Sequence, residues 1–240
     1  MAVLLLGGAL AGWLIWQGYR NERRAMERHI SDAARALASV MEAELSKREA
    51  LLKGLSVSAH LASGNLEAFD RQARNALAGS DEWIVLIDSH QQQRVNTSAQ
   101  AGTPLPLVLD KTDHLPAINA GRTYISNLER GTLSGKLILV VSVPVTAPNG
   151  ETLTLSLAIH PAHFTQNLLD PRIAEGWLIA LVDRNMIIAG RNRNPEEFVG
   201  KTVSESMRRV MSGRTEGVEE TITLDGVPSI TAFVRSAPSG

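Results

Sequence analysis

Cysteine is absent from the 240 residues. Its absence excludes a disulfide framework, a thiolate nucleophile and a thiolate metal site, and leaves stability to packing alone. A basic excess is absent too. The 24 Lys and Arg residues against 25 Asp and Glu give a formal charge of −1, so there is no broad positive field to draw nucleic acid. Two catalytic motifs are approached and missed. NPEEFVGKT, Asn194 to Thr202, ends like a phosphate loop, but Pro195 stands where GxxxxGK[ST] needs its first glycine. Proline offers no N–H to a phosphate, and Glu196 and Glu197 would repel one. Ser134 sits in GTLSG rather than the GxSxG of a nucleophile elbow, and it precedes a strand instead of linking strand to helix.

The apolar run MAVLLLGGALAGWLIW, Met1 to Trp16, carries no charge, and Gln17, Gly18 and Tyr19 extend it. A bilayer core takes about 20 such residues as a helix, and Trp13, Trp16 and Tyr19 cluster where amphipathic rings favour headgroups. Residues 1–19 are therefore read as a transmembrane anchor. A cleaved signal peptide ending at Ala9-Leu10-Ala11 competes, yet it lacks the positive start that such peptides carry. Arg20, Arg23, Arg24 and Arg28 follow the run and suit lipid headgroups. Counted by the positive-inside rule, these arginines would keep the remainder in the cytoplasm.

No proline occurs from Arg20 to Leu55, and apolar residues recur at Met26, Ile30, Ala33, Leu37 and Val40, then at Met41, Leu45, Leu52 and Leu55. This stripe predicts one long helix over 20–56, roughly 50 Å at ~1.5 Å per residue. No comparable helix in the chain could pair with it, so a second copy is the expected partner and a homodimer through this stalk the expected assembly. Gly64-Asn65 breaks the pattern, and Leu66, Phe69, Ala73 and Leu77 make a shorter helix.

The period then changes to that of strands. WIVLID leads into a polar turn, RVNT returns, and KLILVVSVPV, APNG and ETLTLSLAIH form a hairpin whose Asn149-Gly150 is suited to positive φ. Leu153, Leu155, Leu157 and Ile159 alternate with Thr152, Thr154, Ser156 and Ala158, giving one apolar face and one small, polar face. The polar face is either the floor of a ligand site or a solvated surface. A second round follows: WLIALVDRN matches WIVLIDSHQ, IIAGR returns, a helix comes next, and EETITLDGVPSITAFV turns at Asp225-Gly226. Two copies of an antiparallel sheet with helices to one side make an α+β chain. The second copy is expected to end short of a closing strand at Gly240.

WIVLID, GRTYISNLERGTLSGKLILVVSVPV, GWLIALVDRNMIIAGRNRNPEEFVGKT and EGVEETITLDGVPSITAFVRSAPSG together resemble the double Cache sensor domains of bacterial transmembrane receptors. The closing segments are most similar to those of sensor histidine kinases. The resemblance implies two tandem PAS-like modules on one long helix, a membrane-distal one at 57–170 and a truncated membrane-proximal one at 171–240. It further implies an extracytoplasmic, periplasmic sensor at the inner membrane that binds a small molecule distally and shifts the stalk. Its output would be a histidine kinase of a two-component system, or else a diguanylate cyclase or chemoreceptor. A module that only binds another protein is the alternative. Within the resemblance NPEEFVGKT is a connector, with Pro195 opening a turn, Phe198 reaching the core and Gly200 leading into a helix. Met186 stands at a turn position where glycine is commoner, and RTY at Arg122 to Tyr124 lacks the tryptophan of modules that grip amino acids.

The residues expected to contact ligand are Arg122, Tyr124 and Ser126, at the entry to the distal sheet, with Ser142, Ser156 and His160 on neighbouring strands. Arg122 is suited to a carboxylate, and Tyr124 to an apolar wall with a hydroxyl. His160 and His163 form an HxxH, and Asp113 with His114 adds two donors, but no third ligand is fixed by spacing, so neither a metal nor a cofactor is expected. No catalytic residue is assigned.

Overall fold

A computed structural model describes residues 2–100, 102–108, 112–168 and 176–236, with the side chains of residues 2–15 and 167 outside that description. The first helix, α1 (Ala2–Ser56), runs without a break, as the absence of proline and the 3–4 spacing of apolar residues require. Among the described residues no helix is long and apolar enough to cross a membrane. The expected anchor falls largely on Met1 to Ile15, which lies outside the described side chains.

After α1 come α2 (Ala59–Ala62), α3 (Leu66–Ala76), β1 (Trp83–Ile87), β2 (Gln93–Asn96), α4 (Leu115–Asn119), β3 (Tyr124–Ile125), β4 (Glu129–Arg130), β5 (Leu137–Thr146) and β6 (Thr152–Ile159). They are followed by α5 (Pro161–Leu168), β7 (Ala180–Val182), β8 (Ile188–Arg191), α6 (Pro195–Phe198), α7 (Glu205–Met211), β9 (Glu216–Ile222) and β10 (Pro228–Val234). The chain is thus α+β, with antiparallel sheets behind a long N-terminal helix. It divides into two compact units, one of Met41–Thr202 and one of Met1–Val40 with Val203–Pro238.

The larger unit is built on a sheet in the order β2-β1-β6-β5-β3, with β4 also pairing with β5. Alternation decides what each face does. Ile84 and Leu86 of β1, Val141 and Val143 of β5, and Leu155, Leu157 and Ile159 of β6 pack with Met41, Leu52 and Leu55 of α1 and with Phe69 and Ala73 of α3. Burying a side chain such as Phe69 or Leu155 contributes about 1.5–3 kcal/mol, so this face holds the unit together. α3 is set by Asn65, whose side chain accepts from the Ala68 N–H at 3.1 Å. Arg74 on α3 pairs with Asp70 at 2.7 Å and donates to the carbonyls of Thr97 at 2.6 Å and Ala99 at 2.8 Å, fixing the chain beyond β2.

At the head of this core Arg48 of α1 meets Glu82 at 2.7 Å, both side chains being nearly buried, and Glu44 at 2.9 Å. The Lys47 ammonium and then Arg48 hold the Glu44 carboxyl below its usual range. Lys53 and then the Thr123 hydroxyl, which donates at 2.6 Å, do the same for Glu49.

Two turns repeat one design. The Asp88 carboxylate accepts from the N–H groups of His90 and Gln92, and the Asp183 carboxylate from those of Asn185 and Ile187. Gln91 and Met186 hold the matching positive φ angles of 64° and 61°. Met186 therefore does occupy a left-handed position, the one at which its side chain is out of place. In the β5–β6 turn positive φ falls on Gly150 alone, and Asn149 instead accepts the Glu151 N–H at 3.0 Å.

NPEEFVGKT is a connector. Pro195 opens α6, buried Phe198 lies 3.8 Å beneath the Arg191 guanidinium, and Gly200 takes φ +89° while donating to the Ile188 carbonyl at 2.9 Å. β7 and β8 pair with each other in this unit.

The smaller unit consists of α1 up to Val40, α7, and the β9–β10 hairpin, registered from Glu216↔Val234 to Ile222↔Pro228. Val203, Met211 and Phe233 are its buried apolar residues among those described. Ion pairs join β9 to α1: Arg23–Glu220 at 2.7 Å and Arg35–Glu216 at 3.1 Å. Exposed pairs of this kind add little stability, so they report register more than strength.

Candidate ligand-binding site

The face of the six-stranded sheet opposite the helices is also buried. Thr154, Ser156 and Ala158 of β6 are nearly inaccessible, so the alternating polar face is no solvated surface. Its register sets one residue per strand side by side. Asn96 of β2 stands across from Val85 of β1, Val85 from Ser156 of β6, Ser156 from Ser142 of β5, and Ser142 from Tyr124 of β3. This row floors a cavity of about 80 Å³, equivalent to roughly five to eight water-sized groups.

The row is polar at its centre. The hydroxyls of Ser142 and Ser156 lie 2.8 Å apart, and the Asn96 amide donates to the Gln93 side chain at 2.8 Å. A hydroxyl has two acceptor positions and one donor, so the serine pair retains capacity for a further partner. Trp83, Val85, Ile87 and Val108 form an apolar wall. The segment from Glu129 to Ser134 forms the opposite rim, where Gly131 passes so near Ser134 that an added Cβ would lie 2.5 Å from its hydroxyl.

Tyr124 closes one end. Its ring lies 6.3 Å from that of His114, and burial raises the phenol above its usual value, against the pull of Arg184. The hydroxyl stays neutral through physiological pH and able both to donate and to accept. The turn at Asp183 supports this end: Asp183 accepts the Leu128 N–H at 3.0 Å, and Arg184 donates to the Ile125 carbonyl and faces the Tyr124 ring at 5.7 Å.

Four of the six residues expected to contact a ligand line this cavity: Tyr124, Ser126, Ser142 and Ser156. The Ser126 hydroxyl is engaged with the Val140 N–H at 2.8 Å. Arg122 and His160 are not lining residues; Arg122 is exposed on the loop before β3, and His160 is half-buried at the end of β6. Asn96, Gln93, Trp83 and Val85 line it without having been expected. The alternation of Trp83, Val85 and Ile87 marks a face, but only strand register assigns that face to the serine row. His163 lies 3.6 Å from Asp81 and 3.7 Å from Glu82, and among the described residues no group of three potential ligands could hold a metal ion.

No family model matches the sequence, and no curated protein matches it. Solved structures do share the fold. The ligand-binding domain of the Pseudomonas fluorescens chemoreceptor CtaA, in complex with L-isoleucine, matches with a TM-score of 0.64 at 14% identity, covering 88% of this chain and 87% of its own. The periplasmic sensory domain of the Campylobacter jejuni chemoreceptor Tlp1 gives 0.60 at 15% identity, over 88% and 90%. The extracellular domain of a protein assigned as a histidine kinase gives 0.62 at 15% identity, over 88% of each chain.

The chain shares its fold with these extracellular and periplasmic sensory domains. The described residues that line the cavity carry one carboxylate, that of Glu129, and no lysine or arginine. The other polar groups of the lining are hydroxyls, carboxamides and the His114 imidazole, set between apolar walls.

Proposed function

We propose that this chain is the extracytoplasmic, ligand-sensing input domain of a bacterial membrane receptor, with a cytoplasmic histidine kinase of a two-component system as its output. The observation that supports it is the five-strand row from Asn96 to Tyr124, which puts neutral hydrogen-bonding groups beneath a small cavity in a sensory fold. The ligand is a small organic molecule of amino-acid size or less. The ligands bound by similar domains, L-isoleucine, L-valine and GABA, have that size. Its chemistry here is uncharged or amine-bearing, because the described lining offers no lysine or arginine to pair with a buried anion.

In this reading residues 57–170 form the membrane-distal module and 171–240 a membrane-proximal one. The stalk of α1 pairs with a second copy and carries the signal to the inner membrane through residues 1–19. The likeness to chemoreceptor domains supports a second reading, in which the same input drives chemotaxis. A thermal-shift screen of small neutral metabolites and amines against the full chain in detergent tests the proposal, since a ligand bound only by the folded state raises its melting temperature. A hit is expected whose shift disappears in the double variant Ser142→Ala, Ser156→Ala. That variant removes both hydroxyls of one hydrogen bond and so leaves stability nearly unchanged. A blank screen, or a hit indifferent to both serines, would contradict the reading.

A further inference from the structure

The β9–β10 hairpin ends in a stiff apolar tip. Ile222 and Val227 are more than half exposed and Leu224 over a third. The turn is closed by Thr223 N–H to the Val227 carbonyl at 3.0 Å and Gly226 N–H to the Thr223 carbonyl at 2.9 Å. The Ser206 hydroxyl of α7 clamps the base, donating to the Ile222 carbonyl at 3.1 Å and accepting its N–H at 2.9 Å.

The ion pairs fix where this tip points within the smaller unit. Moving from Glu216 to Glu220 along β9 advances ~13 Å, and the partners recede from Arg35 to Arg23 along α1, ~18 Å, a difference that long arginine side chains absorb. β9 therefore runs toward the N-terminal end of α1. Two residues past Glu220, ~7 Å further, Ile222 is level with Tyr19, about four helical residues before Arg23. Leu224 reaches the level of the segment that ends at Trp16.

Trp16 and Tyr19 are themselves more than half exposed, and Arg20 lies 4.4 Å from the Trp16 ring. Exposed Trp and Tyr beneath a band of arginines, here Arg20, Arg23, Arg24 and Arg28, is the pattern of a membrane interface. We propose that the hairpin tip, Ile222 to Val227, is a second membrane contact that seats Ile222, Leu224 and Val227 in the interfacial layer of the lipid around the α1 anchor. Asp225, the acid of the tip, stays at headgroup level. The proposal rests on reading residues 1–19 as an anchor, and it gives the smaller unit a second point of attachment that α1 alone does not supply.

The absence of cysteine allows a direct test. Single substitutions Leu224→Cys, Val227→Cys, Tyr19→Cys and Val40→Cys are labelled with an environment-sensitive fluorophore, and the full chain is reconstituted into vesicles of phosphatidylcholine and phosphatidylglycerol. Val40 is exposed on α1 about 36 Å from Trp16 and serves as the aqueous reference. Labels at 224 and 227 are expected to shift to the blue and to be quenched by spin labels at the headgroup level, as the label at 19 is, while the label at 40 is not. If the label at 19 responds and those at 224 and 227 match the one at 40, the anchor stands and the tip contact is refuted. Silence at 19 as well would refute both. A blue shift at 224 that appears without lipid and grows with protein concentration would assign the tip to a second copy and overturn the proposal.

Discussion

The two compact units hold themselves together by different means. Residues 41–202 bury a continuous apolar face, with Leu52, Phe69, Leu155 and Leu157 at no more than a trace of exposure, and they bury the opposite polar face as well. In the smaller unit the hairpin rests on a few buried residues, and its ion pairs to α1 are exposed and set register more than strength. A unit that has already paid its folding entropy with one face is free to spend the other on a site. That is where the serine row lies. The smaller unit has surface to offer and little interior, which suits it to contact.

The sharpest break in this comparison is a matched pair of phenylalanines. Phe69→Ala is expected to destabilise the larger unit by about 3–5 kcal/mol in urea denaturation, the usual result of emptying a packed core. Phe233→Ala, in the thinner interior, is expected to cost about 1–2 kcal/mol. Equal losses would show that the two interiors are alike.

The ion pairs give the next contrast. Glu82→Ala strips the buried Arg48 of one partner and should cost about 3 kcal/mol, at the lower end for a broken buried pair because Glu44 remains. Arg35→Ala, which removes the exposed contact to Glu216, should leave the melting temperature where it was. Gly200→Ala follows. At φ +89°, with Leu137 Cδ1 3.0 Å from the position of an added Cβ, it should cost about 1–3 kcal/mol.

Acid titration reads the smallest effect. The Glu49 carboxyl is held below its ordinary value of 4.5, chiefly by Lys53. A depressed carboxylate contributes stability that is present above the unfolded value and is lost as pH falls through the lower folded one. Glu49→Gln should therefore lower stability at pH 7 and flatten the decline below pH 4.5. A variant that declines as steeply as the parent would remove Glu49 from that account.

Much of the larger unit was legible because its signals are local. The stripe from Met41 to Leu55 specifies a helix, Asn65 a cap, and WIVLID and ETLTLSLAIH two-faced strands. The turns at Asp88 and Asp183 were legible as alike from WIVLIDSHQ and WLIALVDRN, and they carry matched side-chain acceptors. The site was legible in part: Tyr124, Ser142 and Ser156 fall on strands whose alternation names a face. Asn96 and Trp83 escaped because their place in the row depends on register across β1, which no single strand encodes. Arg122 and His160 stand outside the lining, and their place was hidden for a related reason. Each adjoins a strand that enters the site, and neither neighbouring position tells whether the side chain turns inward.

The sensory role proposed for the chain depends on one location, the cavity above the row from Asn96 to Tyr124. Hydrogen–deuterium exchange of the chain with and without a ligand found by thermal shift tests that location directly. Slowed exchange is predicted in β1, β3, β5 and β6 and in the 129–134 rim. Protection confined to other segments, with these unchanged, would contradict it.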